Sequence, residues 1–337
     1  MSRAGGCRLG VSFGRESDLY SFPRPHPMNA ARTAPFARWL GSAEGFELVA
    51  AVPATEEDLL LFHTPDYVRL VRESSRRGAG PLDRGDTPAF EGVYEASLYP
   101  VGNTLNGLRL VLEGRLDHFF NPVGGLHHAR EGAAEGFCVF NDAAIAVRRA
   151  LSEPGIGRVA YVDIDAHFGD GVFYGFEGDP RVIIGDVHED GRFLFPGTGG
   201  ADETGRGEAA GTKLNAPLPP GAGDPEFVGA FLRVEELVRR SRPDLILLQC
   251  GADGLEGDPL THLAYSAAAH AHAASRLHSL AHEVCGGRIL AMGGGGYDPA
   301  NVLAAWSAVV RGLSGAGEGR GAAAGSRSPS GRPVGGG

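Results

Sequence analysis

Short apolar runs recur along the chain at 8–13, 116–122, 158–164, 181–187, 244–250 and 288–292. Their brevity and β-branched content predict buried strands. Longer stretches between them carry apolar residues at helical spacing, at 30–40, 56–74, 93–113, 142–151, 225–241, 266–284 and 299–313. Strands alternating with crossover helices predict an α/β fold, an open and mostly parallel sheet with helices on both faces. In such a sheet chemistry gathers beyond the carboxyl ends of the strands, and the polar motifs of this chain occupy those ends.

Composition narrows the picture. No internal repeat is apparent, and nothing resembling a linker interrupts residues 7–313, so one domain is expected over 1–313. The stretch 314–337 is mostly Gly, Ser, Ala, Arg and Pro. It has too little large apolar surface to offset its ordering entropy, which predicts a disordered tail. No run approaches the roughly 18 apolar residues of a membrane span, and the first eleven residues lack an apolar run behind a basic start. A cytoplasmic location is therefore expected. The formal net charge of −10 argues against a nucleic-acid surface, because such affinity rests on Lys and Arg neutralising phosphates. The four cysteines, Cys7, Cys138, Cys250 and Cys285, form no C-x-x-C pair and read as reduced thiols.

The densest chemistry lies in Val162-Asp163-Ile164-Asp165-Ala166-His167-Phe168-Gly169-Asp170-Gly171. Asp165 and His167 alternate in phase, so both side chains leave the sheet on one side, an arrangement that suits two ligands of one divalent metal. Capping aspartates in a strand-end turn are the alternative. Gln249-Cys250-Gly251-Ala252-Asp253 places another carboxylate past an apolar run, making Asp253 the natural third ligand. Two carboxylates and one His leave coordination positions open, as a catalytic metal requires; Zn²⁺ or Fe²⁺ would serve. Gly124-Gly125-Leu126-His127-His128 brings two imidazoles suited to proton transfer, with Asp163 and Asp170 available to orient the rings. Alone, such a pair reads equally as loop histidines. The glycine run Gly293 to Gly296 lacks the Lys-Ser/Thr of a phosphate loop, but Tyr297 after it can offer a phenol to a developing oxyanion, or merely pack.

Together these segments resemble the histone deacetylase superfamily of metal-dependent amidohydrolases, on the arginase/deacetylase fold, over about residues 8–313. The resemblance also covers His26-Pro27-Met28 with Arg32, Thr55-Glu56-Glu57-Asp58-Leu59, Gly136-Phe137-Cys138-Val139-Phe140-Asn141-Asp142 and Phe195-Pro196-Gly197-Thr198-Gly199. It implies Asp165, His167 and Asp253 as ligands of a Zn²⁺-like ion, His127 and His128 in acid/base and electrostatic roles, and Tyr297 on the substrate carbonyl. Asp163 and Asp170 would support the histidines. Gly136, Phe137 and Phe195 would wall a narrow acyl-lysine tunnel, Asp86 would grip the substrate backbone at its rim, and Arg32 would line an acetate channel. A structural monovalent cation such as K⁺ would lie near Asp163 and Asp186. Two positions depart from the pattern: Asp186 stands where many deacetylases have Ser, which puts that cation in doubt, and Phe168 where many carry a second His.

Among rivals, a ureohydrolase needs a further ligand in D-A-H-x-D, and here that position is Gly169. Polyamine-specific deacetylases can carry Glu seven residues past the metal Asp, where this chain has Leu260. That favours an acetylated lysine in a peptide or protein over an acetylated small amine. An inactive acyl-lysine-binding module and an acetoin-utilisation role are the other readings. The sequence leaves the natural substrate, acyl length, metal and oligomeric state open.

Overall fold

In the computed structural model, which describes residues 7–83 and 85–315, eight strands form one sheet in which every pairing is parallel. The strands are β1 (Leu9–Ser12), β2 (Glu47–Val49), β3 (His118–Asn121), β4 (Val159–Asp163), β5 (Val182–Glu189), β6 (Lys213–Leu218), β7 (Leu245–Gln249) and β8 (Ile289–Met292). Their order is β2-β1-β3-β8-β7-β4-β5-β6. The four strands that lead into the polar motifs, β3, β8, β7 and β4, are thus contiguous at the centre.

The α/β reading therefore holds, and the core shows why. Along β4, Val159 and Tyr161 join one apolar cluster while Ala160 and Val162 join another; Leu245 and Leu247 of β7 separate in the same way from Ile246 and Leu248. Successive side chains of a strand point to opposite faces, so a sheet buried on both sides has continuous apolar strands. One cluster packs α4 (Val93–Leu112) and α5 (Asp142–Ser152) through Leu108, Val111 and Val147. The other packs α1 (Ala34–Leu40), α7 (Asp224–Ser241), α8 (Ala267–Val284) and α9 (Pro299–Leu313) through Phe36, Val234, Leu277 and Trp306.

Three differences from the sequence reading have physical causes. The edge strands β2 and β6 were absent from it because edges need no continuous apolar run: β2 is largely exposed, and β6 contains Lys213, Asn215 and Pro217. The stretch 56–74 is not one helix but α2 (Glu56–Leu59) and α3 (Pro65–Arg77). Pro65 cannot continue a preceding helix but starts one well, and the Thr64 side chain caps α3 by accepting from the Tyr67 N–H. Likewise the stretch 30–40 opens with a 3-10 turn, Ala30–Arg32, before α1 with Pro35 in its first turn. The short α6 (Asp170–Gly175) follows the densest motif. Helix α9 closes at Leu313; the tail expected at 314–337 lies outside the described residues apart from 314 and 315.

Candidate active site

The loops after β4 and β7 bring two carboxylates onto one imidazole. His167 Nδ1 lies 3.1 Å from Asp165 Oδ1 and 3.0 Å from Asp253 Oδ2, and all three residues are buried. The Asp165 carboxylate is fixed from several sides: Gln249 Nε2 and Gly295 N–H donate to its Oδ2 at 2.8 and 2.9 Å, and His167 N–H to its Oδ1 at 3.0 Å. Asp253 Oδ1 accepts the Ala166 N–H at 2.9 Å. The approach is so close that a Cβ on Gly295 would lie 2.1 Å from Asp253 Oδ2, and one on Gly251 1.9 Å from Asp165 Oδ2. Burial drives the Asp253 pKa upward and the charge of Asp165 reinforces the shift. Two buried carboxylates side by side want a cation between them. The two-oxygen, one-nitrogen donor set of Asp165, His167 and Asp253, with ligand atoms all within 4.8 Å of one another, fits a divalent metal ion.

Beside this group stand two histidines, each backed by an acid. His127 Nδ1 is 2.8 Å from Asp163 Oδ2, His128 Nδ1 is 2.7 Å from Asp170 Oδ1, and the two Nε2 atoms face each other at 3.1 Å. Burial opposes charge on His127, but Asp163 and Asp165 outweigh it and raise its pKa to about 9. Burial, the charged His127 and His167 drive that of His128 well down. Each ring thus has its Nδ1 directed at a carboxylate, His127 at Asp163 and His128 at Asp170, and its Nε2 toward the space between the two rings. Asp170 also binds Arg130, which reaches Glu135 at 2.9 Å.

The histidine loop is held from beneath. Asp142 accepts the Gly125 and Leu126 N–H groups at 2.8–3.0 Å and the Thr104 hydroxyl at 2.6 Å. Asn141 Nδ2 donates to the carbonyls of His127 and Ala129 at 3.1 and 2.9 Å. His63 Nε2 in turn accepts the Asn141 N–H at 2.9 Å.

Aromatic rings frame the approach. Phe137 has φ 67°, a conformation a bulky L-residue adopts only under constraint. Three groups hold it: its carbonyl accepts the Tyr20 hydroxyl at 2.6 Å, its N–H donates to Thr87 Oγ1 at 3.0 Å, and its ring meets the Tyr297 ring edge-on at 5.8 Å. Gly136 before it has φ 54°, and a Cβ there would lie 2.5 Å from the His128 ring. The Phe195 ring stands 5.0 Å from that of His128. Tyr297 lines the same narrow cavity as His127, His128, Asp165 and His167. Burial, with Asp253 and Asp165, pushes its pKa well above the ordinary phenol value, so it stays an O–H donor. Behind it, buried Arg32 donates to the Gly294 carbonyl and lines a further cavity of about 20 Å³. Outside, a cavity of about 720 Å³ is bordered by Asp83, Asp86, Arg130, Glu135 and Phe195.

The structure thus brings Asp163, Asp165, His167, Asp170, Asp253, His127, His128, Tyr297, Gly136, Phe137 and Phe195 together, with Arg32 behind and Asp86 at the outer edge. Leu260 is not among the cavity's lining residues; it is partly exposed beside Asp258, whose carboxylate accepts the Leu260 and Tyr297 N–H groups. Asp186 pairs with His188 at 2.6 Å and accepts the Gly169 N–H at 3.0 Å, while Asp163 takes Tyr161, His127 and the Asp165 N–H. Each carboxylate oxygen of that pair has a protein donor and His188 can supply positive charge. Sequence reasoning missed Gln249, Arg130 and His63. For Gln249 a signal existed: a polar residue closing a buried apolar strand is costly unless bonded.

Residues 26–313 match the histone deacetylase domain, and the chain belongs to that family. It is 38% identical over 305 residues to the acetoin utilization protein AcuC of Bacillus subtilis (strain 168), covering 86% of this chain and 78% of that one. Its identity to AcuC of Staphylococcus xylosus is 33%, over 91% of this chain and 82% of the relative. Among solved structures it resembles the HDA15 HD domain, with TM-score 0.84, 28% identity and coverage of 92% and 88% of the two chains. It also resembles an HDAC homolog from Aquifex aeolicus, with TM-score 0.80, 30% identity and coverage of 91% and 84%. Among the described residues, no helix is long and apolar enough to cross a membrane.

Proposed function

We propose that this site hydrolyses the acetyl amide of an acylated lysine side chain, releasing acetate and the free amine. The observation that carries the reading is the facing pair of acid-backed histidines, His127–Asp163 and His128–Asp170, set against the Asp165, His167 and Asp253 group. Those three residues would hold a divalent ion, Zn²⁺ in first place and Fe²⁺ as the alternative. When bound, the ion supplies Lewis-acid activation of water and of the amide carbonyl.

The remaining work falls to the chain's own side chains. Neutral His128 takes a proton at Nε2 and returns it to the departing amine, while Asp170 stabilises the imidazolium formed between. His127, backed by Asp163, contributes electrostatically. The Tyr297 O–H donates to the carbonyl oxygen as negative charge develops there. Phe137 and Phe195, with Gly136 leaving room for His128, would hold the aliphatic stem of the substrate and exclude water. Asp86, on the border of the outer cavity, would accept backbone N–H groups of a peptide, and Arg32 would line the path of departing acetate.

The acids Asp83 and Asp86 beside the outer cavity, where Glu135 is paired with Arg130, support a second reading, an acetylated polyamine whose distal ammonium groups they would meet. The identity to AcuC supports a place among proteins of acetoin utilisation. The test is a panel of acetyl-lysine peptides, longer acyl-lysines and acetylpolyamines on metal-loaded protein. Highest kcat/KM on acetyl-lysine peptides is expected; preference for acetylspermidine would move the assignment to the polyamine reading, and no turnover of any of them would overturn both.

A further inference from the structure

A second group of metal-ligating side chains lies at the opposite end of the sheet. Cys7 precedes β1, His118 opens β3, and His278 and His282 occupy successive turns near the end of α8, the crossover helix that leads into β8. Crossover helices run antiparallel to their strands, so all four residues converge beneath the amino ends of the strands, away from the catalytic loops. Their ligand atoms all lie within 4.8 Å of one another. Cys7 Sγ is 3.0 Å from His282 Nε2, His118 Nε2 is 2.9 Å from His278 Nδ1, and the three imidazole centroids are 4.9–5.6 Å apart.

We infer that Cys7, His118, His278 and His282 form a second, structural site for a zinc-class divalent ion. The donor set is the first argument: one sulfur and three nitrogens make a closed four-ligand shell of the kind Zn²⁺ takes in structural rather than catalytic sites. The second is geometry. Around tetrahedral Zn²⁺, ligand atoms at about 2.0–2.3 Å stand roughly 3.3–3.8 Å from each other, so closing on an ion asks for side-chain movements of about an ångström. The third is construction. His278 and His282 are four residues apart on one helix face, and Gly287, at φ 86°, leaves room for the His282 ring, since a Cβ there would come within 2.6 Å of it. His118 is buried with no hydrogen-bond partner for Nδ1 among the described residues. The competing arrangement is a chain of hydrogen bonds without an ion, in which His278 Nδ1 also lies 3.2 Å from the Leu313 carbonyl. An ion here would tie the segment before β1 to β3 and to α8.

Sulfur makes the site separable from the catalytic one, whose Asp165, His167 and Asp253 contain none. The full chain, reduced and stripped of metal, is loaded with Co²⁺ alone and its spectrum recorded; Zn²⁺-loaded protein is analysed for metal content. The proposal expects two ions per chain and a thiolate-to-cobalt charge-transfer band. The band should be lost in Cys7→Ser and metal content should fall to one ion in Cys7→Ser/His282→Ala. Both positions lie at the surface side of the cluster, so deacetylase turnover should persist. Asp253→Ala should keep the band. One ion per chain in the wild type with no thiolate band, or a band that survives Cys7→Ser, would overturn the proposal whatever the catalytic site does.

Discussion

Replacing Asp170 with Asn isolates the electrostatic support of the proposed proton acceptor. Asn keeps the volume, and its Oδ1 can still accept the His128 Nδ1–H now held at 2.7 Å, while the charge is lost and with it the ion pair of the other oxygen with Arg130. Both groups are buried, Asp170 completely. An imidazolium and a carboxylate in this contact have charge centres about 4 Å apart, worth about 4 kcal/mol at an effective dielectric near 20. Arg130, on the other carboxylate oxygen, already balances part of that charge, which brings the expected loss to about 3 kcal/mol, or roughly 100-fold in kcat. The loss should fall on kcat rather than KM, because the imidazolium exists only along the reaction path. The assay is kcat and KM on an acetyl-lysine reporter peptide, with metal content measured in the same samples. Asp170→Asn within about threefold of wild type at equal metal content would show that His128 does not take the proton in this pair.

Three other outcomes are expected. Tyr297→Phe should lower kcat by roughly 10²–10³-fold with little change in KM and no loss of metal, the usual effect of removing one oxyanion donor; steady-state kinetics with metal analysis checks it, and unchanged kcat would mean the ring only packs. Stability should fall with acid through His63, whose pKa burial lowers to about 4. Its Nε2 is committed to the Asn141 N–H, so the unfolded chain takes up the proton first: stability is full above about pH 6.5 and up to about 3 kcal/mol is lost as pH falls toward 4. A urea midpoint that stays constant from about pH 7 to about pH 4.5 would contradict this. Leu260→Glu should shift kcat/KM toward acetylpolyamines only modestly, by roughly up to fivefold, since the position is 36% exposed and exposed ion pairs are worth little; a wild type that already prefers polyamines would point instead to Asp83 and Asp86.

What could be read before the structure follows from burial. The central strands are covered on both faces, so β4, β7 and β8 stand out as apolar runs and the motifs after them as breaks. The edges β2 and β6 carry no such constraint and do not stand out. The ligand candidates were legible because Asp165 and His167 share a strand's alternation, whereas Asp253 gained meaning only beside them. The supporting residues were harder to see, because their work is spatial. Arg130 reaches Asp170 forty residues away, and His63 reaches the histidine loop only through Asn141. The left-handed conformation of Phe137 has no sequence signal at all, since it is imposed by Tyr20, Thr87 and Tyr297. Leu260, seven residues past Asp253, sits at the surface beside the turn at Asp258, and its part in substrate choice rests on the substitution above.

Acetate release from an acetyl-lysine peptide, followed on one preparation before metal removal, after exhaustive chelation and after reloading with Zn²⁺ or Fe²⁺, tests the proposed chemistry most directly. Acetate and free lysine amine should appear in equal amounts, vanish on chelation, return on reloading, and fail to return in Asp253→Ala, whose shell lacks one carboxylate. Release that persists in metal-free protein, or no release from reloaded wild type, would contradict hydrolysis at the Asp165, His167 and Asp253 site.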